Sequence, residues 1–206
     1  MFQAQFQQNP ELPDGELVKE KYLRYFNSSA PRGFRAYRFF SVDAASSGSD
    51  TASYSSIATG MSIDGKHYIG DMHRGRYDYE ELKERALAFH AEHPEAWFII
   101  ENASAGTSLL RALQKHGCIV RSASSISDKV VRLARVLHVF EEGRVLFNTR
   151  ADRVERIKCA ITELLLFPNC RYNDQVDSIV HAITVMEPLT NPGGKIGRDP
   201  QAVESN

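Results

Sequence analysis

Four carboxylates stand where strands and a helix would bring them to one place. Asp43 closes the aromatic, β-branched run Tyr37-Arg38-Phe39-Phe40-Ser41-Val42-Asp43, ahead of the small-residue stretch Ala44 to Ser49. Glu101 directly follows the apolar run Ala96-Trp97-Phe98-Ile99-Ile100. Asp174 and Asp177 are three residues apart and so share one face of a helix whose inner side is Val176, Ile179, Val180 and Ile183. Ligands of α/β sheets bind beyond the carboxyl ends of strands, where two neighbouring strands and a packed helix can gather such groups. Like charges at short range oppose one another's ionisation. A hard divalent cation relieves that conflict, and an all-oxygen donor set selects Mg2+ or Mn2+ over zinc. Two such ions can activate a water and stabilise the leaving oxygen in phosphodiester cleavage. Each acid also has a plainer use: Asp43 starts a turn, Glu101 lies on an exposed rim, and Asp174 answers the helix dipole. Asp177 sits deeper in the helix beside apolar neighbours.

Other chemistries are poorly supported. No Gly-x-x-x-x-Gly-Lys-Ser/Thr phosphate loop occurs, so ATP hydrolysis by this chain is not expected, and no Ser-His-Asp pattern competes. Cys118, Cys159 and Cys170 are odd in number and lack CxxC spacing, which argues against a disulfide framework or zinc site and for a reducing cytosol. The seven histidines have no ligand spacing, and His181 reads as a packing or solvent-facing residue. No stretch approaches the ~18 apolar residues of a membrane span, and the N-terminus lacks a signal-peptide pattern.

The elements that must position these acids follow from periodicity. The chain has 206 residues, 42% of them apolar, a net charge of −1 and a mean hydropathy of −0.36, the composition of a globular domain. Residues 37–43, 55–63 and 67–72 read as three consecutive strands, the last two joined by an Asp64-Gly65 hairpin turn. A helix over 79–93, a central strand over 96–100, a helix over 105–116 and a short parallel strand over 118–120 follow. Next come a helix capped by Ser127 with Val130, Val131, Ala134 and Leu137 inside, and a short strand over 144–147. A helix over 151–167 and a last helix capped by Asn173 complete the order. The expected fold is α/β: one mixed β-sheet, three antiparallel strands then a parallel βαβ section, with helices on both faces, in the ribonuclease H-like order. Residues 1–34 read as a linker-like lead-in, with Leu17, Val18, Tyr22, Tyr25 and Phe26 near helical spacing. Residues 35–187 read as the domain, and 188–206, after Pro188, as a flexible tail.

A family resemblance covers residues 2 to about 187. Phe2-Gln-Ala-Gln-Phe-Gln-Gln-Asn-Pro10 with Gly15, Lys19 and Tyr22 to Tyr25 resembles the segment joining the ATPase and nuclease halves of bacteriophage terminase large subunits. Ser41-Val42-Asp43-Ala44-Ala45, then Ile99-Ile100-Glu101-Asn102 with Gly106 and Leu109-Leu110, and Tyr172-Asn173-Asp174-Gln175-Val176-Asp177-Ser178 resemble the family's three nuclease motifs. Ser127-Asp128-Lys129 with Arg132 and Ala134 resembles a further family stretch beside the site. The resemblance implies a nuclease domain of ribonuclease H-like fold that cuts concatemeric viral DNA during packaging and depends on two Mg2+ or Mn2+ ions. Asp43 would bridge both ions, Glu101 would hold one, and Asp174 and/or Asp177 the other, with Asp50 further out. It also implies an ATPase domain, a small terminase subunit and a portal or procapsid as partners, and the host cytoplasm as the place of action. The linker-like start is read as a domain cut from a longer chain, or as a stand-alone nuclease of the same lineage.

Double-stranded DNA requires local positive charge. From Arg121 to Lys158 there are nine basic residues against five acidic ones, in a chain that is otherwise nearly neutral. Such a stretch can hold phosphates without reading bases. The resemblance places Lys129 and Arg132 near the metals, which makes them, with Arg135, the candidate contacts, whereas Arg153 and Arg156 equally suit ion pairs on a helix face. The competing readings are another ribonuclease H-like enzyme, such as a Holliday-junction resolvase or transposase-like nuclease, and a non-catalytic DNA- or procapsid-binding module.

Overall fold

The computed structural model describes residues 17–27, 36–45, 54–102, 105–123 and 127–191. Seven strands form one sheet: β1 (Arg24–Phe26), β2 (Ala36–Asp43), β3 (Ser55–Ile63), β4 (Lys66–Gly75), β5 (Trp97–Glu101), β6 (Ile119–Ala123) and β7 (Val145–Asn148). Their order across the sheet is β1-β7-β4-β3-β2-β5-β6. The pairs β2–β3 and β3–β4 are antiparallel, and β2–β5, β5–β6, β4–β7 and β1–β7 are parallel. Among the described residues five α-helices accompany the sheet: α1 (Tyr79–Glu92), α2 (Ala105–Lys115), α3 (Lys129–Glu141), α4 (Val154–Leu166) and α5 (Asp174–Thr190).

The pleat sorts the core into two halves, because successive side chains of a strand point to opposite faces. Phe39 and Ile99 pack on one face with Leu133 and Phe140 of α3, Ile157 and Leu164 of α4, and Ile179, Val180 and Ile183 of α5. Phe40, Val42, Phe98 and Ile100 pack on the other with Leu82 and Ala86 of α1 and Leu109 and Leu113 of α2. The Asp64-Gly65 turn holds both residues at positive φ, +46° and +74°, which fits the twist of a two-residue hairpin. The expected α/β architecture, with its order of antiparallel then parallel strands, is the one observed.

Several local expectations change. The lead-in is not external to the fold: Leu17, Val18 and Leu23 are core residues, and β1 adds to the sheet edge beside β7. The piece that looked helical is only a 3-10 turn, Glu20–Tyr22, ahead of that strand. Asp128, not Ser127, caps α3, its carboxylate accepting from the Val130 amide at 2.8 Å. The inner face of α3 is Arg132, Leu133, Val136, Val139 and Phe140, whereas Val131 is exposed. Helix α4 begins at Val154, three residues later than the spacing suggested. Helix α5 runs through Pro188 to Thr190, with the Asn191 amide still donating to the Glu187 carbonyl at 2.8 Å. Proline so near a helix end removes a single N–H, a loss the packed last turn absorbs, so the tail begins later than residue 188. The beginning of the lead-in, residues 1–16, and the rest of the tail lie outside the described residues.

Candidate active site

Strand parity places the acids. Val42 of β2 pairs with Ile100 of β5, so Asp43 and Glu101 are the next residues of two adjacent parallel strands. Both follow the parity of Phe39 and Ile99, toward α5, not that of Phe40 and Phe98. Gly106 lets the start of α2 press against the strand end that carries Glu101, because a Cβ there would lie 2.1 Å from the Glu101 carbonyl oxygen. Asp43 also pairs with Ser56 of β3, whose Oγ is 2.7 Å from the Asp174 carbonyl and 2.8 Å from Ser178 Oγ. That hydroxyl fastens the first turn of α5 over the strand ends, bringing Asp174 and Asp177 to Asp43.

The two acids of α5 then part company. Asp177 is buried; its Oδ1 accepts from Arg132 Nε at 3.1 Å and Nη2 at 2.7 Å, and its Oδ2 lies 2.6 Å from Lys129 Nζ. Asp174 is half-buried, and burial raises its pKa against the attraction of Lys129. Asp43 is pushed up to about 8 by burial; Lys129 opposes this, and Asp177, Glu101 and Asp174 reinforce it. Four acids therefore share one field, answered by Lys129 and Arg132 and, at Asp174, by Arg74, and burial leaves Asp43 as the acid whose ionisation is most opposed.

Lys129 Nζ lies 3.7 Å from Asp43 Oδ2 and donates to Asn173 Oδ1 at 2.9 Å. Asn173, expected to cap α5 with its side chain, turns to the lysine instead. Burial pulls the Lys129 pKa down, but Asp177 and Asp43 outweigh it and the net shift is upward. Among the described residues no three Asp, Glu, His or Cys side chains already form a metal cage. The donor set is nonetheless all oxygen and electrostatically short of positive charge at Asp43, as a hard divalent ion requires.

The candidate phosphate contacts also diverge. Arg132 is buried, and its Nη1 additionally donates to the Ser127 carbonyl, so it faces Asp177 and not solvent. Lys129 is partly exposed and engaged as described, and Arg135 is exposed. Arg156 is paired with Asp71, through Nε and Nη2 at 2.8 Å each, and Arg153 lies 3.4 Å from Asp152. Asp50 lies outside the described residues.

Sequence reasoning missed an arginine–tyrosine cluster beside Asp174. The Arg74 guanidinium lies 5.3 Å from the Tyr54 ring and 5.1 Å from the Tyr172 ring, and also bonds Glu163. The exposed Arg76 and Arg171 lie over the same two rings. The signal was Tyr172, two residues before Asp174, and the Arg74-x-Arg76 pair at the end of β4. His181, one turn beyond Asp177, is buried with neither ring nitrogen partnered among the described residues, and burial lowers its pKa to about 4. A groove of about 940 Å³, lined by Arg38, Phe40, Met61, Tyr68 and Phe89, opens on the opposite sheet face and includes none of the four acids.

A mixed sheet of this order, with helices on both faces and acids at the ends of β2 and β5 under α5, defines a domain of ribonuclease H-like fold. Within that class it has the fold of large-terminase nucleases. The large terminase nuclease from thermophilic phage G20c with bound magnesium superposes with a TM-score of 0.62 at 14% identity, over 83% of this chain and 97% of that one. The same nuclease with bound cobalt gives 0.60 at 15% identity, over 83% and 97%. The large terminase from a second thermophilic bacteriophage gives 0.61 at 13% identity; the match spans 84% of this chain but 45% of that one. No protein-family model matches the sequence, and no curated protein matches it significantly.

Proposed function

We propose that the chain is the nuclease domain of a phage terminase large subunit, a divalent-metal-dependent endodeoxyribonuclease that cuts concatemeric viral DNA during genome packaging. What supports this reading is the placement of Asp43 and Glu101 as successive residues of adjacent parallel strands, with Asp174 and Asp177 of α5 near enough to act on the Asp43 carboxyl, in a fold shared with terminase nucleases solved with bound metal. Asp43, Glu101 and Asp174 would hold Mg2+ or Mn2+, with Asp43 common to two ions. Bound there, such ions supply Lewis-acid activation of a water and a counter-charge for the leaving oxygen.

The chain's own residues do the rest. Arg132 fixes Asp177, which in turn anchors Lys129 beside Asp43. Ser56 holds the α5 turn at the strand ends, so that Asp174 keeps its distance from Asp43. Arg135, Lys129, Arg76 and Arg171 would take phosphates of double-stranded DNA on either side of the acids. The ATPase domain, small terminase subunit and portal or procapsid are the partners this reading implies, in the host cytoplasm.

Supercoiled plasmid incubated with the protein and Mn2+ tests it. Nicked and linear products that disappear with EDTA and with Asp43→Asn support the reading. Cleavage that persists in EDTA overturns it, and a strong preference for four-way junctions over duplex would reassign the domain to junction resolution.

A further inference from the structure

Lys129 stands in an unusual place for a cation. It is the first residue of α3, and Arg132 lies in the same turn, with no acid in that turn to offset them. The positive end of a helix dipole repels such charges. What holds the ammonium there is a set of three oxygens from elsewhere: Asp177 Oδ2 at 2.6 Å, Asn173 Oδ1 at 2.9 Å and Asp43 Oδ2 at 3.7 Å. Three oxygen donors around one positive charge resemble the environment of a metal ion more than that of a surface lysine. The contacts are unequal. Asp177 has two cations of its own, because Arg132 also grips it, whereas among the described residues Asp43 has the long contact to Lys129.

We propose that Lys129 is a resident counter-cation of the acidic cluster, and that a divalent ion entering at Asp43 must displace its ammonium toward Asp177 and Asn173. The inference rests on the metal-dependent reading above and adds a competitor to it. Lys129 keeps the acids assembled before metal arrives and sets the metal concentration at which the site fills. Metal uptake gives up the 3.7 Å contact and leaves the pair with Asp177 intact, so the exchange is local to Asp43. Arg132 is outside the exchange because its guanidinium is engaged by Asp177 and the Ser127 carbonyl.

Calorimetric titration of Mn2+ into the protein, without DNA, tests this. Lys129→Met removes the competitor, and Lys129→Gln removes its charge while retaining an amide that can reach Asn173, which guards against a variant that fails to fold. Both variants are expected to bind Mn2+ about tenfold or more tightly than the parent protein, since a nearby positive charge has been removed. Mn2+ should likewise raise their melting temperature by more than it raises that of the parent. Unchanged or weaker Mn2+ binding in both variants, with uptake by the parent intact, overturns the displacement and leaves the nuclease reading standing. No uptake by parent or variants at millimolar Mn2+ overturns both.

Discussion

At the C-terminal end of α5, Glu187 Oε2 lies 2.8 Å from His67 Nε2 and accepts from Arg144 Nη1 at 2.7 Å, while its Oε1 accepts from Asn191 Nδ2 at 3.0 Å. His67 Nδ1 in turn lies 2.8 Å from Ser62 Oγ. At the N-terminal end, four acids meet Lys129, Arg132 and, beside Asp174, Arg74. Both ends bury charge between one helix and one sheet. The first is balanced: burial would raise the Glu187 pKa, yet His67, Arg144 and Asn191 hold it down to about 2. The second is short of cations, and Asp43 is pushed up instead. Ser62, His67 and Glu187 have the residue types of a hydrolytic triad, but all three are buried, so they serve as a clamp. A charge cluster that its own partners balance serves the fold, whereas one that burial leaves opposed, as at Asp43, is a candidate for binding a cation.

The sharpest break between the ends is expected at Asp43. Asp43→Asn should lower Mn2+-dependent plasmid cleavage about a thousandfold or more, by removing a ligand and the charge it carries. Circular dichroism should show the fold kept, because an amide has the shape of the neutral carboxyl that burial favours at Asp43. Glu187→Ala should do the reverse, leaving Arg144 and His67 without their partner at a cost of about 3–5 kcal/mol in a denaturant melt.

The ends should also part in their pH dependence when no metal is present. The folded-state pKa of Glu187 lies below its ordinary value of 4.5, so its contribution is present above that value and fades as pH falls toward about 2. Burial lowers the His67 pKa, and stability is likewise lost as pH falls below 6.5, where the unfolded histidine takes up a proton. Asp43 has a raised folded-state pKa, so its contribution is present below 3.8 and is lost as pH rises toward about 8. Thermal melts across pH should therefore show an acid limb flattened by Glu187→Gln and a decline between about pH 4 and pH 8 removed by Asp43→Asn.

Smaller effects separate the arginines. Arg132→Ala should destabilise the protein by about 2–4 kcal/mol, because Asp177 loses a buried partner, with the salt dependence of DNA binding unchanged. Arg135→Ala and Arg76→Ala should leave stability within about 0.5 kcal/mol. Each should reduce the salt slope of DNA binding by about one.

Much of this was legible from residue order. The alternation in β2 and β3, the Asp64-Gly65 turn and the apolar run before Glu101 are strong local signals, and they carry Asp43 and Glu101 to the carboxyl ends of neighbouring strands. Helix α3 was misread because Val130, Val131, Leu133, Ala134, Val136, Leu137, Val139 and Phe140 make it apolar nearly all round. Two faces then fit the 3.6 period, and the long-range pair of Arg132 with Asp177 decides between them. Three-residue β1 is too short to show any period; pairing with β7 defines it. The ranking of Asp174 against Asp177 depends on which acid meets Arg132, a contact across 45 residues that spacing cannot reveal.

Anomalous scattering from a crystal soaked in Mn2+ decides whether the acids hold metal. A manganese peak is expected at Asp43 with Glu101 or Asp174 in its coordination shell, and Asp177 still on Arg132. A soaked crystal with no peak at Asp43, or with manganese held only by groups remote from β2 and β5, would contradict it.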